Sequence, residues 1–405
     1  MMKLSRFVAG TALVLISEGV CYAQHYTQTN LVSNVPGVAP VTDPQLINPW
    51  GLSRGSGSPW WVSDNATGVS TLYNGPGEKQ ALVVTIPPAN VSTPTGTPTG
   101  TIFNGSQTDF LLAPGKPAAF LFSTIDGTIA GWNPGVAGDP GTAPPSTHAV
   151  TVVKTTDGSS YTGLTSATID GKTFLYAANF AKGRVDVYDS AFRRVRLSTG
   201  RRDRDSSDDD RRSFDHDRRS SDDAFDDDRL PRGYVPFNVQ AIGNDVVVTY
   251  ALHEEGSQFE TDGPGQGFVY IYSSTGRLLR RLEHGNWLNA PWGVALAPLD
   301  FGRFSHHLLI GQFAGGGDTQ SSGVIAAYDL VTGKFDGLLQ DPSGKPLAIN
   351  GLWALSPGNV TPANNDPAGG PGAQIYFTAG PNRATQGLFG YLTAIPAELT
   401  AGNAQ

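Results

Sequence analysis

Gly267-Phe268-Val269-Tyr270-Ile271-Tyr272 is one copy of a phrase that the chain writes six times. Each copy opens on Gly, carries a mostly apolar residue two places on, and has an aromatic at the fifth place. The others are Gly68-Val69-Ser70-Thr71-Leu72-Tyr73, Gly127-Thr128-Ile129-Ala130-Gly131-Trp132 and Gly183-Arg184-Val185-Asp186-Val187-Tyr188. Gly323-Val324-Ile325-Ala326-Ala327-Tyr328 and Gly387-Leu388-Phe389-Gly390-Tyr391-Leu392 complete the set, the last with its aromatic one place early. Successive glycines lie 59, 56, 84, 56 and 64 residues apart. The long interval holds a 40-residue charged stretch, and without it the spacing is regular.

A second apolar run precedes each phrase, as in Trp60-Trp61-Val62, Phe174-Leu175-Tyr176-Ala177 and Val246-Val247-Val248-Thr249-Tyr250. Before several of these lies a third run with a related opening: Asn48-Pro49-Trp50-Gly51-Leu52, Asn289-Ala290-Pro291-Trp292-Gly293 and Asn350-Gly351-Leu352-Trp353. Runs such as residues 81–86 and 278–282 follow as a fourth. β-Branched and aromatic residues suit a pleated surface, whereas the 50 Gly and 29 Pro break helices. Four short strands repeated six times predict an all-β fold: one six-bladed β-propeller of four-stranded antiparallel blades, spanning residues 24–405. An open ring would expose strand edges. Tyr26 to Val32 alternates like a strand and is expected to supply the outer strand of blade six, closing the ring.

Two segments stand apart from the repeat. Residues 1–23 read as a signal peptide, with Lys3 and Arg6 before an apolar run from Phe7 to Ile16 and a cleavage site at Cys21-Tyr22-Ala23. Cleavage there removes the one cysteine and makes the mature chain secreted or periplasmic, without a disulfide or a transmembrane segment. Arg193 to Arg232 holds 12 Arg and 12 Asp and is expected to form a disordered insertion within blade three, because it offers too little apolar surface to offset ordering. A net charge of −8 argues against nucleic acid as partner, and nothing points beyond a monomer.

The phrases Asn48-Pro49-Trp50-Gly51-Leu52, Trp61-Val62-Ser63-Asp64-Asn65, Pro236-Phe237-Asn238-Val239 and Asn289-Ala290-Pro291-Trp292-Gly293-Val294 carry a family resemblance. Asn350-Gly351-Leu352-Trp353 and Tyr376-Phe377-Thr378-Ala379-Gly380 extend it over nearly the whole mature chain. The chain resembles a group of exported bacterial conserved hypothetical proteins, some with PEP-CTERM sorting tails. The resemblance implies a six-bladed propeller and brings no activity with it. The tail here lacks the Pro-Glu-Pro motif, and the Arg/Asp run departs from the family pattern.

Propeller sites form where loops lead into the innermost strands and out of the second strands. Those loops offer Asn48, Trp50, Asn238, Asn289, Trp292, Asn350 and Trp353 on one side, and Asp64, Asn65, Asn179, His253 and Gln312 on the other. Asp64, Asn65 and Asn179 could give oxygen ligands to a divalent cation such as Ca²⁺ in the channel, which a hydrolase or lactonase would use. The same amides could hold a small molecule, a carbohydrate or a protein segment over the Trp faces. A third reading is structural: the Asn residues set turns and each Trp packs between blades. His253-Glu254-Glu255 offers an acid/base group, while adjacent His306-His307 would point to opposite faces of a strand. Gly315-Gly316-Gly317 lacks the following helix that a phosphate loop needs. With no catalytic motif present, the residues favour a binding or interaction module over an enzyme, with a cell-surface structural protein as the third possibility.

Overall fold

The computed structural model describes residues 24–90, 92–138, 144–197, 224–313, 323–358, 373–396 and 398. The expected signal peptide, residues 198–223 of the expected insertion, and Gly315-Gly316-Gly317 lie outside the described residues.

Each of the six Gly phrases is the third strand of a blade. Blade one runs outward from Pro49–Ser53 through Trp60–Asp64 and Val69–Tyr73 to Lys79–Thr85. Blade four repeats the order with Tyr234–Ile242, Asp245–Leu252, Gly267–Tyr272 and Leu278–Arg281. Blades two, three and five start at Pro98–Phe103, Tyr161–Ile169 and Pro291–Leu296 and have the same antiparallel order. The six innermost strands touch one another in sequence, and the last, Leu352–Pro357, touches the first. The chain is therefore a six-bladed β-propeller.

Closure takes the expected form. Tyr26–Ser33 pairs antiparallel with Leu388–Ala394, from Tyr26 opposite Ala394 to Ser33 opposite Leu388, with a bulge between Asn30 and Val32. Blade six differs from the four-stranded expectation, because Val41–Thr42 adds a fifth strand parallel to Tyr26–Ser33. A clasp extends the seam: Glu398 accepts from the His25 backbone N–H at 2.6 Å and meets the His25 ring at 2.9 Å.

Alternation along the strands builds the core. Trp60 packs on Tyr376 of blade six at 4.7 Å, while its neighbour Trp61 faces the other way and stacks on Phe120 of blade two at 4.1 Å. The described core divides into six apolar clusters, five at single blade interfaces and one that joins the interface of blades six and one to the channel rings. Blade three shows where the insertion boundaries differ from expectation. Arg194–Val195 pairs with Val187 and Tyr188 as a short outer strand, and Phe225 packs on Tyr176 and Tyr272. Those two ends carry the apolar residues Val195 and Phe225, which the charged composition around them obscures.

The Pro-Trp-Gly phrase of blades one and five now has a physical reason. A Cβ on Gly51 would lie 2.4 Å from the Thr99 carbonyl oxygen, and one on Gly293 would lie 2.5 Å from the Trp353 carbonyl oxygen. Only Gly lets these innermost strands approach so closely. Gly293→Ala should cost about 1–3 kcal/mol, because backbone rather than a flexible side chain must move. Urea unfolding checks this, and a midpoint equal to that of the unsubstituted chain would refute it.

Candidate functional site

The channel face is built by the openings of the innermost strands, and aromatics occupy it. Trp50 stacks on Trp353 with ring centres 3.6 Å apart, and Phe313 covers the same Trp353 ring at 3.8 Å. Trp292 meets both indoles edge-on, at 6.0 and 5.7 Å. Phe237 and Phe180 continue the cluster toward His253, whose ring lies 4.7 Å from Phe180. These rings come from blades one, three, four, five and six, and all but His253 are buried. Each such pair adds about 0.5–1.5 kcal/mol beyond its buried area.

The amides around this cluster turn inward on one another. Trp353 donates its indole N–H to Asn48 Oδ1 at 2.9 Å, and Asn48 Nδ2 donates to Asn65 Oδ1 at 3.2 Å. Asn65 Nδ2 then donates to the Pro98 carbonyl at 3.1 Å, so one relay links blades six, one and two. Asn238 Nδ2 donates to the Trp292 carbonyl at 2.7 Å, joining blade four to blade five. The Trp292 indole N–H reaches the Thr162 carbonyl of blade three at 2.9 Å. Thr378 donates to the Trp50 carbonyl at 2.6 Å. Backbone conformation supports the relay: Asn48 holds a φ of 49° directly before Pro49, a left-handed state that Asn tolerates well.

Asn289 ties blade five to the blade-four loop before Gly267–Tyr272, and the other expected residues have partners within their own blades. Asn289 accepts from Gly263 N–H at 2.7 Å, and its own N–H donates to Gln312 Oε1 at 2.9 Å. Asn350, half-buried, accepts from Asn382 N–H at 3.3 Å. His253 bonds the Ser257 carbonyl at 2.8 Å. His306 and His307 lie in the turn before Leu308–Gln312, where His307 meets Asp336 at 3.0 Å.

The three residues considered for a cation belong to separate networks. Asp64 Oδ2 accepts from the Thr71 hydroxyl at 2.7 Å and from its N–H at 3.0 Å. Burial pushes the Asp64 carboxyl well above the usual carboxylate range, although both Thr71 bonds oppose the shift. Asn65 is engaged by Asn48 and Pro98 as described. Asn179 Nδ2 donates to Asp186 at 2.6 Å and to Ser159 at 2.9 Å. The three share no hydrogen-bond partner among the described residues, and Asp64 Oδ1 is buried without one. No group of three or more His, Cys, Asp and Glu among the described residues is arranged to hold a metal.

Sequence reading missed Phe180, Phe237 and Phe313 as members of the channel cluster. Phe237 was marked in the sequence: Pro236-Phe237-Asn238 places an aromatic after Pro, as Pro49-Trp50 and Pro291-Trp292 do. Glu260 had no such signal. It lies in the loop between Asp245–Leu252 and Gly267–Tyr272, where burial pushes its carboxyl up to about 7, with a smaller contribution from Asp262.

No family model matches the chain. It is 30% identical over 363 residues to uncharacterized protein R648 of Acanthamoeba polyphaga mimivirus, covering 89% of this chain and 78% of that protein. It is 29% identical over 369 residues to uncharacterized protein L690 of the same virus, covering 89% and 84%. These relatives correct the expected placement among exported bacterial proteins and point to a viral family. The physical reason is that the quoted phrases build blade contacts, so they report the fold and not the host. Among solved structures, a protein of unknown function from Bacteroides thetaiotaomicron has a TM-score of 0.50 at 9% identity, over 92% of this chain and 76% of that one. Virginiamycin B lyase from Staphylococcus aureus has a TM-score of 0.45 at 11% identity, over 92% and 100%. The first likeness is one of fold alone, and nothing is transferred from the second.

Two outcomes follow from this geometry. Asn48→Ala strands the Trp353 indole N–H and Asn65 Oδ1 in the interior, and should cost about 1–3 kcal/mol in a denaturant titration. A loss below the scatter between replicates would show that water replaces the amide. Glu260 binds a proton more tightly folded than unfolded, so its stabilisation is complete below about 4.5 and is lost as pH rises through about 7. Because the residue is only half-buried, Glu260→Gln should recover roughly 1–2 kcal/mol of that loss. Parallel pH–stability curves for the two proteins would refute it.

Proposed function

The chain belongs to the family of mimivirus protein R648, and we propose that its propeller serves as a binding or interaction module rather than as a catalyst. The observation that carries this reading is how the channel-face polar groups are used. Asn48, Asn65, Asn238 and the Trp292 and Trp353 indoles bond to other blades, and stacked rings fill the space between them. A group already bonded and buried must give up that bond before it can meet a substrate, and doing so costs about 1–3 kcal/mol for each. Ligand contact is therefore more favourable on the outside of the ring than along its axis. On this reading the partner is a macromolecule that docks on a blade edge, and the cleaved leader ending at Ala23 delivers the module outside the compartment where it is made.

A substrate panel tests the non-catalytic part of the reading. Purified chain incubated with lactones, esters and glycosides, with and without millimolar calcium, should turn over none of them faster than buffer does. Its thermal midpoint should not move with calcium, since a ligand held only by the native state raises that midpoint. Calcium-dependent turnover of any panel member would overturn the reading.

A further inference from the structure

The third strand of blade three, Arg184–Tyr188, is covered less than its counterparts are. Its outer neighbour Arg194–Val195 pairs only with Val187 and Tyr188. In blade one the corresponding strand has partners from Val69 to Tyr73. Among the described residues, Arg184, Val185 and Asp186 thus have no strand on their outer side. A bare strand edge presents unpaired N–H and C=O groups, which an extended segment can complete.

A groove of about 560 Å³ lies along this edge. Its two sides differ in chemistry because side chains alternate across the strand. Val185 joins Val195, Leu197 and Phe225 on the apolar side toward blade four. On the other side Asp186 is buried and neutralised: Arg184 Nε donates to it at 2.8 Å and Arg194 at 2.7 Å. Lys182 and Arg196 also line the groove and make no ion pair among the described residues. Four cations and two carboxylates, Asp186 and Asp226, line the groove, and Asp157 beside it pairs with Arg184 at 3.6 Å, which leaves the cations in excess by one in a chain whose net charge is −8.

We propose that this groove binds an extended acidic peptide segment of a partner protein, which adds as a strand to the open edge of Arg184–Asp186. The partner alternates carboxylate and apolar side chains, so that its acids face the Arg and Lys side while its apolar residues face Val185 and Phe225. The proposal rests on the binding-module reading and names its partner class. Main-chain bonds supply the affinity, and the alternation sets which sequences fit. Charge complementarity raises the rate of encounter and makes it salt-dependent.

Fluorescence anisotropy on the full chain tests this with a labelled eight-residue peptide of alternating Asp and Val. A Lys/Val peptide and an N-methylated Asp/Val peptide serve as controls. The Asp/Val peptide should bind, more weakly as salt is added, and neither control should. Lys182→Glu with Arg196→Glu should weaken binding by at least about tenfold, while the thermal midpoint stays unchanged because neither side chain makes an ion pair among the described residues. Equal binding of the Lys/Val or N-methylated peptide would overturn the proposal, as would an unchanged Kd in the double variant. If the peptide binds only after residues 198–223 are replaced by a short Gly/Ser linker, the chain's own Asp-rich segment occupies the edge and the proposal falls. Failure of the peptide while the substrate panel stays silent removes this groove alone. Turnover of the panel removes the binding-module reading, whatever the peptide does.

Discussion

Pairing of Tyr26–Ser33 with Leu388–Ala394 is the interaction on which the rest of the structure depends. A propeller is a row of sheets that must return to its start, or two blade faces remain bare. Here strands from both ends of the chain share one sheet, so the first and last blades cannot drift apart without breaking its ladder. Closure fixes the spacing of all six innermost strands at once. That spacing then decides what fits at the centre: glycines where strands touch, and a stacked set of indoles and phenyl rings where they diverge.

How much of this was legible depended on how local its cause was. The Gly phrase reads from sequence because each copy makes its turn and strand from neighbouring residues. Gly68, Gly127 and Gly183 hold positive φ, between 62° and 78°, directly before their strands, and Gly323 does so one residue earlier, at 72°. Ring closure was legible for a related reason, since an alternating strand was left over at one end and an outer strand was missing at the other. The site was legible only as a set of residues. Asn48, Asn65, Asn238 and Trp292 do sit at the channel face, but what they do there is set by partners 17, 33, 54 and 130 residues away. Sequence shows that an amide is present and does not show whether it is already bonded. The same limit hid the buried state of Asp64 and the company of Glu260.

Family placement shows a related effect from the other side. Motifs that specify close strand contacts can be shared by any chain that uses the same blade design. They supported the propeller and misdirected the source, which the mimivirus relatives correct. The structure also separates two kinds of irregularity in blade three. Its Arg/Asp run is compositional, whereas the shortened outer strand Arg194–Val195 is architectural and leaves backbone without a partner among the described residues. Only the second has a physical consequence that can be derived residue by residue.

At the centre of this account is the claim that the channel face is sealed core rather than an open binding site. Hydrogen exchange of the indole N–H groups, followed by nuclear magnetic resonance, tests it most directly. The Trp292 and Trp353 indoles donate to Thr162 and Asn48 inside the ring, so both protons should exchange only through global unfolding, at the rate of the slowest backbone amides. Exchange of either proton far faster than those amides, under conditions where the fold is intact, would show that the channel opens and would contradict the account.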